Sequence, residues 1–130
     1  MQYALLIYAA SAPGASASAS VDTSPADYVG APEQWIAYTR ALKSAGALIA
    51  LQRLQSVDTA TSVRVRDGEQ LLTDGPFIET KEHLLGFYLV EAPNLDAALD
   101  WAARMPLSRF GTVEVRPVLP TPVLDQIVRE

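Results

Sequence analysis

The stretch Tyr3-Ala4-Leu5-Leu6-Ile7-Tyr8-Ala9-Ala10 decides the fold, because it reads either as the apolar heart of an export signal or as a buried β-strand. Small residues at Ala15, Ser16 and Ala17 supply a cleavage-like pattern behind it. An export signal, however, carries positive charge ahead of its apolar run, and the first basic residue here is Arg40. The run is also only about eight residues long, at the short end for a signal. As a strand it is well formed. Tyr3, Leu5 and Ile7 fall on one face and Ala4, Leu6 and Tyr8 on the other, as a central strand covered on both sides requires. We therefore expect a first β-strand and a cytoplasmic protein, with which the absence of cysteine is compatible.

Working outward, Ser11 to Ser20 consists of Ala, Ser, Gly and Pro and has nothing to bury, so a flexible Ala/Ser-rich loop is expected over 11–26. Pro32 suits the first turn of a helix in which Trp35, Tyr38, Leu42 and Ala45 share a face, until Gly46 stops it. Ala47 to Leu54 reads as a second strand, and Ser62 to Arg66 alternates Val63 and Val65 with polar residues as a half-buried third. Leu85 to Glu91 follows as a fourth. Asn94 is an N-cap for a second helix, which Asp96 supports electrostatically, Leu95, Leu99 and Ala102 stripe, and Pro106 ends. Thr112 to Val118 is the last main strand. The C-terminal extension 120–130 holds a short helix or arm, with Thr121 as cap, Pro122 at its first position and Leu124, Ile127 and Val128 on one side.

This order is the βαββαβ of an α+β, ferredoxin-like domain, an antiparallel sheet with its helices on one face. A single domain over 1–130 is expected. The uncovered face would expose Ala4, Leu6, Tyr8, Phe87 and Leu89, which is the physical argument for a homodimer.

Composition narrows the chemistry. Hydrophobic residues are 49% and charged residues 19% of 130, which fits one globular domain able to bury a core without disulfides. Fifteen acidic against ten basic residues give a net charge of −5, which disfavours nucleic acid and anionic lipid. No apolar stretch of about 20 residues is available to span a bilayer. Zero cysteines and one histidine remove thiol chemistry and multi-histidine zinc sites, and no cofactor is implied.

The most distinctive segment runs from Leu72 to His83. Asp74-Gly75-Pro76 is turn chemistry, with Phe77 as a possible anchor in the core. Glu79, Lys81, Glu82 and His83 follow closely, a density that suits either a solvated connection or the lip of a site. The motif Asp74-Gly75-Pro76-Phe77 followed by Glu79-Thr80-Lys81-Glu82 resembles the YCII-related or DGPF-domain family. The opening Tyr3–Tyr8, the strand Gly86–Val90, the helix Asp96–Ala102 and the closing Gly111–Pro117 are similar too. That resemblance implies a dimeric α+β barrel, an activity mostly unassigned, and association with extracytoplasmic-function sigma factors. Related members carry a histidine on the first helix paired with an aspartate. The corresponding position here falls near Trp35, whose indole shuttles no proton near neutral pH, and Asp58 is the candidate for the aspartate, so the dyad is not carried over.

Candidate catalytic residues are therefore Asp74, a base if desolvated but a poor one if bonded in its own turn, and His83, which titrates near neutrality. Glu79, Lys81, Glu114, Arg116 and Trp35 are the candidate substrate-binding residues. Glu114 and Arg116 project from one face of a strand, so Arg116 either anchors a carboxylate or phosphate with Glu114 beside it, or both belong to a sheet face or dimer seam. Trp35, Tyr38 and Trp101 either line a cavity between helices and sheet or form core. Three readings follow: a small-molecule enzyme or degenerate enzyme using that cavity, a non-catalytic ligand-binding or sigma-factor-associated regulatory dimer, and a signature that carries folding information only.

Overall fold

In the computed structural model, which describes residues 1–10, 32–76, 78, 80–109 and 111–130, the apolar opening is strand β1 (Gln2–Ala9). The chain continues through α1 (Pro32–Ser44), β2 (Leu48–Arg53), β3 (Thr61–Arg66), β4 (Glu69–Asp74) and β5 (His83–Glu91). It closes with α2 (Leu95–Arg104), β6 (Thr112–Pro117) and α3 (Pro122–Val128). Single turns of 3-10 helix occupy Val57–Thr59 and Pro106–Arg109. The expected loop 11–26 lies outside the described residues.

Both faces of β1 are apolar because β1 is central. It pairs antiparallel with β5 on one side and β6 on the other, and β2 extends the sheet beyond β5, giving the order β2-β5-β1-β6. The result is an α+β arrangement compatible with a ferredoxin-like fold. On one face Tyr3, Leu5, Ile7 and Ala9 are buried with Tyr88 and Val90 of β5. Tyr38 and Leu42 of α1 and Ala98 and Ala102 of α2 complete that core. Leu42 is fully enclosed, and burying a side chain of this size contributes roughly 1.5–3 kcal/mol. Asn94 caps α2 as expected, its side chain accepting from the Ala97 amide at 2.9 Å.

Five local expectations are corrected. The alternating Ser62–Arg66 run does not join the main sheet; β3 pairs only with β4, and Val63 and Val65 are 57% and 62% exposed rather than half-buried. Leu72 to Asp74, read as a connection, is the end of β4. The Asp67-Gly68 turn between these strands takes positive φ at both residues, 52° and 78°, the geometry that matches a two-residue hairpin to strand twist. On α2 the buried stripe is Ala98 and Ala102, with Trp101 half-buried, and Leu95 and Leu99 face outward. Alanines let the helix backbone approach the sheet, where a leucine stripe would hold it off. On α1, Ala45 is exposed although Tyr38 and Leu42 are buried, because the helix ends at Ser44. In α3 Pro122 opens the helix, but Thr121 makes no capping bond to its backbone; the hydroxyl reaches Asp125 Oδ1 at 3.3 Å instead.

Candidate functional site

The signature segment begins where the β3–β4 hairpin closes. Gly75 adopts φ +93°, a conformation that L side chains resist, and its amide donates to the Ala60 carbonyl at 2.6 Å. Ser62 Oγ donates to the Gly75 carbonyl at 3.0 Å. These two bonds tie the end of β4 to the start of β3. Asp74 itself lies opposite Thr61 and is exposed, and among the described residues its carboxylate makes no hydrogen bond. Phe77 and Glu79 lie outside the described residues.

Further along, the Thr80 hydroxyl donates to the Glu82 carbonyl, bending the chain toward β5. Lys81 is exposed, while Glu82 and His83 are half-buried. His83 opens β5 opposite Ala9, at the end of the sheet where β1 finishes. No hydrogen bond or ion pair joins Asp74, Lys81 and His83 to one another among the described residues.

Glu114 and Arg116 are a separate group. β1 pairing sets Glu114 opposite Leu6 and Arg116 opposite Ala4, on the face of the sheet away from the helices. Both are exposed, and neither forms an ion pair with another described residue. Around them Ala4, Leu6 and Tyr8 align with Leu89 and Phe87 of β5 as half-buried apolar positions. The expected apolar face is therefore present as half-buried positions, to which no described helix contributes, with Glu114 and Arg116 along its β6 edge.

Trp35 belongs to neither group. Its ring stacks on Tyr88 at 6.3 Å between centroids and meets Tyr38 edge-on at 6.5 Å. Tyr38 in turn packs edge-on against Tyr88 at 5.4 Å and Trp101 at 6.2 Å, and Arg104 sits 4.3 Å over the Trp101 ring. Tyr38 and Tyr88 belong to the buried core, and Trp35 and Trp101 pack against it partly buried. Hydroxyls inside this cluster have partners: Tyr38 donates to the Trp101 carbonyl at 2.8 Å, and Thr39 Oγ1 and the Tyr88 hydroxyl are 2.7 Å apart. Burial pushes the Tyr38 hydroxyl well above its usual pKa, with Tyr88 adding to the rise and Arg104 opposing it. Thr39, Tyr88 and Arg104 were not singled out from sequence. Tyr88 alone had a signal, its place in the alternation of Gly86–Val90.

Asp58, the residue considered for the family's aspartate, is exposed in the Val57–Thr59 turn, where its amide donates to Ser56 Oγ at 3.5 Å. The candidate residues thus occupy three places: the hairpin base and its return to β5, the open face of the sheet, and the aromatic core. Among the described residues no group of three or more His, Asp or Glu side chains is placed to hold a metal ion. Nor is any helix there long and apolar enough to cross a membrane.

Comparison with known proteins follows the same lines. The model of the YCII-related domain matches residues 1–122. An uncharacterized protein of Rhizobium meliloti (strain 1021) is 43% identical over 84 residues, covering 63% of this chain and 68% of that protein.

Proposed function

Because the chain belongs to the YCII-related family, we propose that it acts as a homodimer that binds a target without transforming it, two copies packing sheet to sheet. One observation carries this reading: the face bearing Ala4, Leu6, Tyr8, Phe87 and Leu89 is apolar at its centre and charged at its Glu114–Arg116 edge, the layout of an interface core with a polar rim. Packing there closes two antiparallel sheets into the dimeric α+β barrel expected from the resemblance. In this arrangement Glu114 and Arg116 are rim charges rather than substrate anchors. Trp35 packs against the core.

The partner implied by the resemblance is an extracytoplasmic-function sigma factor, met in the cytoplasm. Sedimentation of the full chain should give a dimer, and Leu6→Asp, which places a charge at the centre of the face, should weaken it at least about tenfold with retained circular dichroism. A monomeric wild type, or a Leu6→Asp dimer of unchanged affinity, refutes the reading. Titration with a sigma factor of this class should saturate at micromolar concentration, and its failure to do so removes that partner.

A second reading is favoured by the placement of Asp74 and His83 at either end of the 75–82 connection. There a small molecule would be bound and turned over, with His83 as the proton carrier and Lys81 as its neighbour along the chain. A pH–activity profile that loses one limb in His83→Ala supports it, and an unchanged profile removes His83 from the chemistry.

A further inference from the structure

Two apolar surfaces remain that the open sheet face does not account for. In the β3–β4 hairpin, Val63, Val65 and Leu72 share one face, since Val63 pairs with Leu72 and Val65 with Gln70, and each is more than half exposed. A two-stranded hairpin without a packing partner is marginal in water. In α3, Val123, Leu124, Ile127 and Val128 line one side of a seven-residue helix, also more than half exposed. A helix this short holds its shape in water only with help from tertiary packing. The YCII-related match ends at residue 122, where α3 begins.

Among the described residues the two segments leave the sheet at different corners. The hairpin leaves the sheet after Arg53 and returns at His83, at the β2 edge and the end where β1 finishes. The arm carrying α3 leaves after Pro117, which pairs with Tyr3, at the β6 edge and the end where β1 starts. They depart from opposite corners, separated along the strands by roughly 27 Å for eight residues.

A two-fold axis between face-to-face sheets, running along the other diagonal, exchanges these corners. It crosses the strands near right angles, one of the two favoured ways for sheets to pack. We propose that α3 of each copy packs its Val123, Leu124, Ile127 and Val128 side against the Val63, Val65 and Leu72 face of the second copy's hairpin. This rests on the sheet-to-sheet dimer proposed above and completes it. Four strands of six to nine residues present a footprint of roughly 460 Å², a little over half of the ~800 Å² that each partner of a stable interface buries. The arm and hairpin contacts, made twice by symmetry, supply the remainder. A lipid surface fits the arm poorly, because the chain carries −5 and the residues around α3 offer Arg129 against Asp125 and Glu130.

The chain has no cysteine, so single replacements report cleanly. Leu72→Cys and Ile127→Cys proteins are prepared separately, mixed to exchange subunits, and treated with a short bismaleimide, with sedimentation of the wild type alongside. The expected result is a covalent dimer formed in the mixture and not by either variant alone. A wild-type dimer whose mixture gives no 72-to-127 product, or in which Ile127→Cys links to itself, overturns the arm contact and leaves the sheet dimer standing. A monomeric wild type overturns both. Ile127→Asp in the full chain should raise the dimer dissociation constant about tenfold or more, and an unchanged constant counts against the contact.

Discussion

Replacing Tyr38 by phenylalanine tests whether the space between helices and sheet is filled core. The Tyr38 hydroxyl donates to the Trp101 carbonyl at 2.8 Å. That carbonyl needs an outside donor, because the Met105 amide, which would serve it in a continuing α-helix, bonds to Ala102 at 3.2 Å instead. Tyr38 thus satisfies an orphan acceptor at the end of α2 from the neighbouring helix. Tyr38→Phe keeps the ring contacts with Trp35, Tyr88 and Trp101 and removes only this bond. A net hydrogen bond contributes about 1 kcal/mol, and an unsatisfied acceptor adds to its loss, so the expected cost at pH 7 is about 1–2 kcal/mol. The sign reverses with pH. The folded hydroxyl has a raised pKa, so the unfolded chain releases this proton first, and the wild type loses stability as pH rises above about 10. By pH 11 that loss reaches roughly 1.4 kcal/mol, whereas the phenylalanine variant has no such proton to lose. Urea unfolding of both proteins at pH 7 and pH 11 should show the gap shrinking to near zero or inverting, with equal m-values. Tyrosines outside this cluster are common to both proteins and cancel. A gap that is absent at pH 7, or unchanged at pH 11, refutes the argument and reopens the cavity reading.

Gly75→Ala puts a side chain at φ +93° and should destabilise by about 1–2 kcal/mol; an unchanged melting temperature would mean that the signature does not set this turn. Asn94→Ala removes the cap from the Ala97 amide and should cost about 1 kcal/mol in thermal unfolding, and a loss below a few tenths would show that water replaces the cap without penalty.

The backbone of the fold was legible because its strongest signals were redundant. β1 is apolar on both faces and can sit only at the centre of a sheet, and α2 is announced by Asn94 at its start. What was missed has definite causes. The β3–β4 hairpin carries its signal in Asp67-Gly68, a strong two-residue turn, but Leu72 to Asp74 run directly into the turn residues Gly75-Pro76, which mask the strand. On α2 hydrophobicity favoured Leu95 and Leu99, whereas the core selected Ala98 and Ala102 for close approach. For the site, the density of ionisable residues from Asp74 to His83 gave composition without direction. Alternation along β6 placed Glu114 and Arg116 on one face from sequence alone, but only the pairing with Leu6 and Ala4 shows that this is the face opposite the buried Leu5 and Ile7.

The placement of the signature bears on what it is for. Gly75 bonds to Ala60, and Ser62 bonds back to Gly75, so the first residues of the motif lock the hairpin's two ends together before the chain re-enters the sheet at His83. The bonds at this base set the direction in which the hairpin leaves the sheet. If the partner's α3 seats on that hairpin, the angle fixed at Gly75 determines whether Val63, Val65 and Leu72 meet the arm. The turn reading of the motif and the assembly reading are then one statement at two scales: a local φ angle specifies the turn, the turn orients the hairpin, and the hairpin presents the surface by which one copy recognises the next.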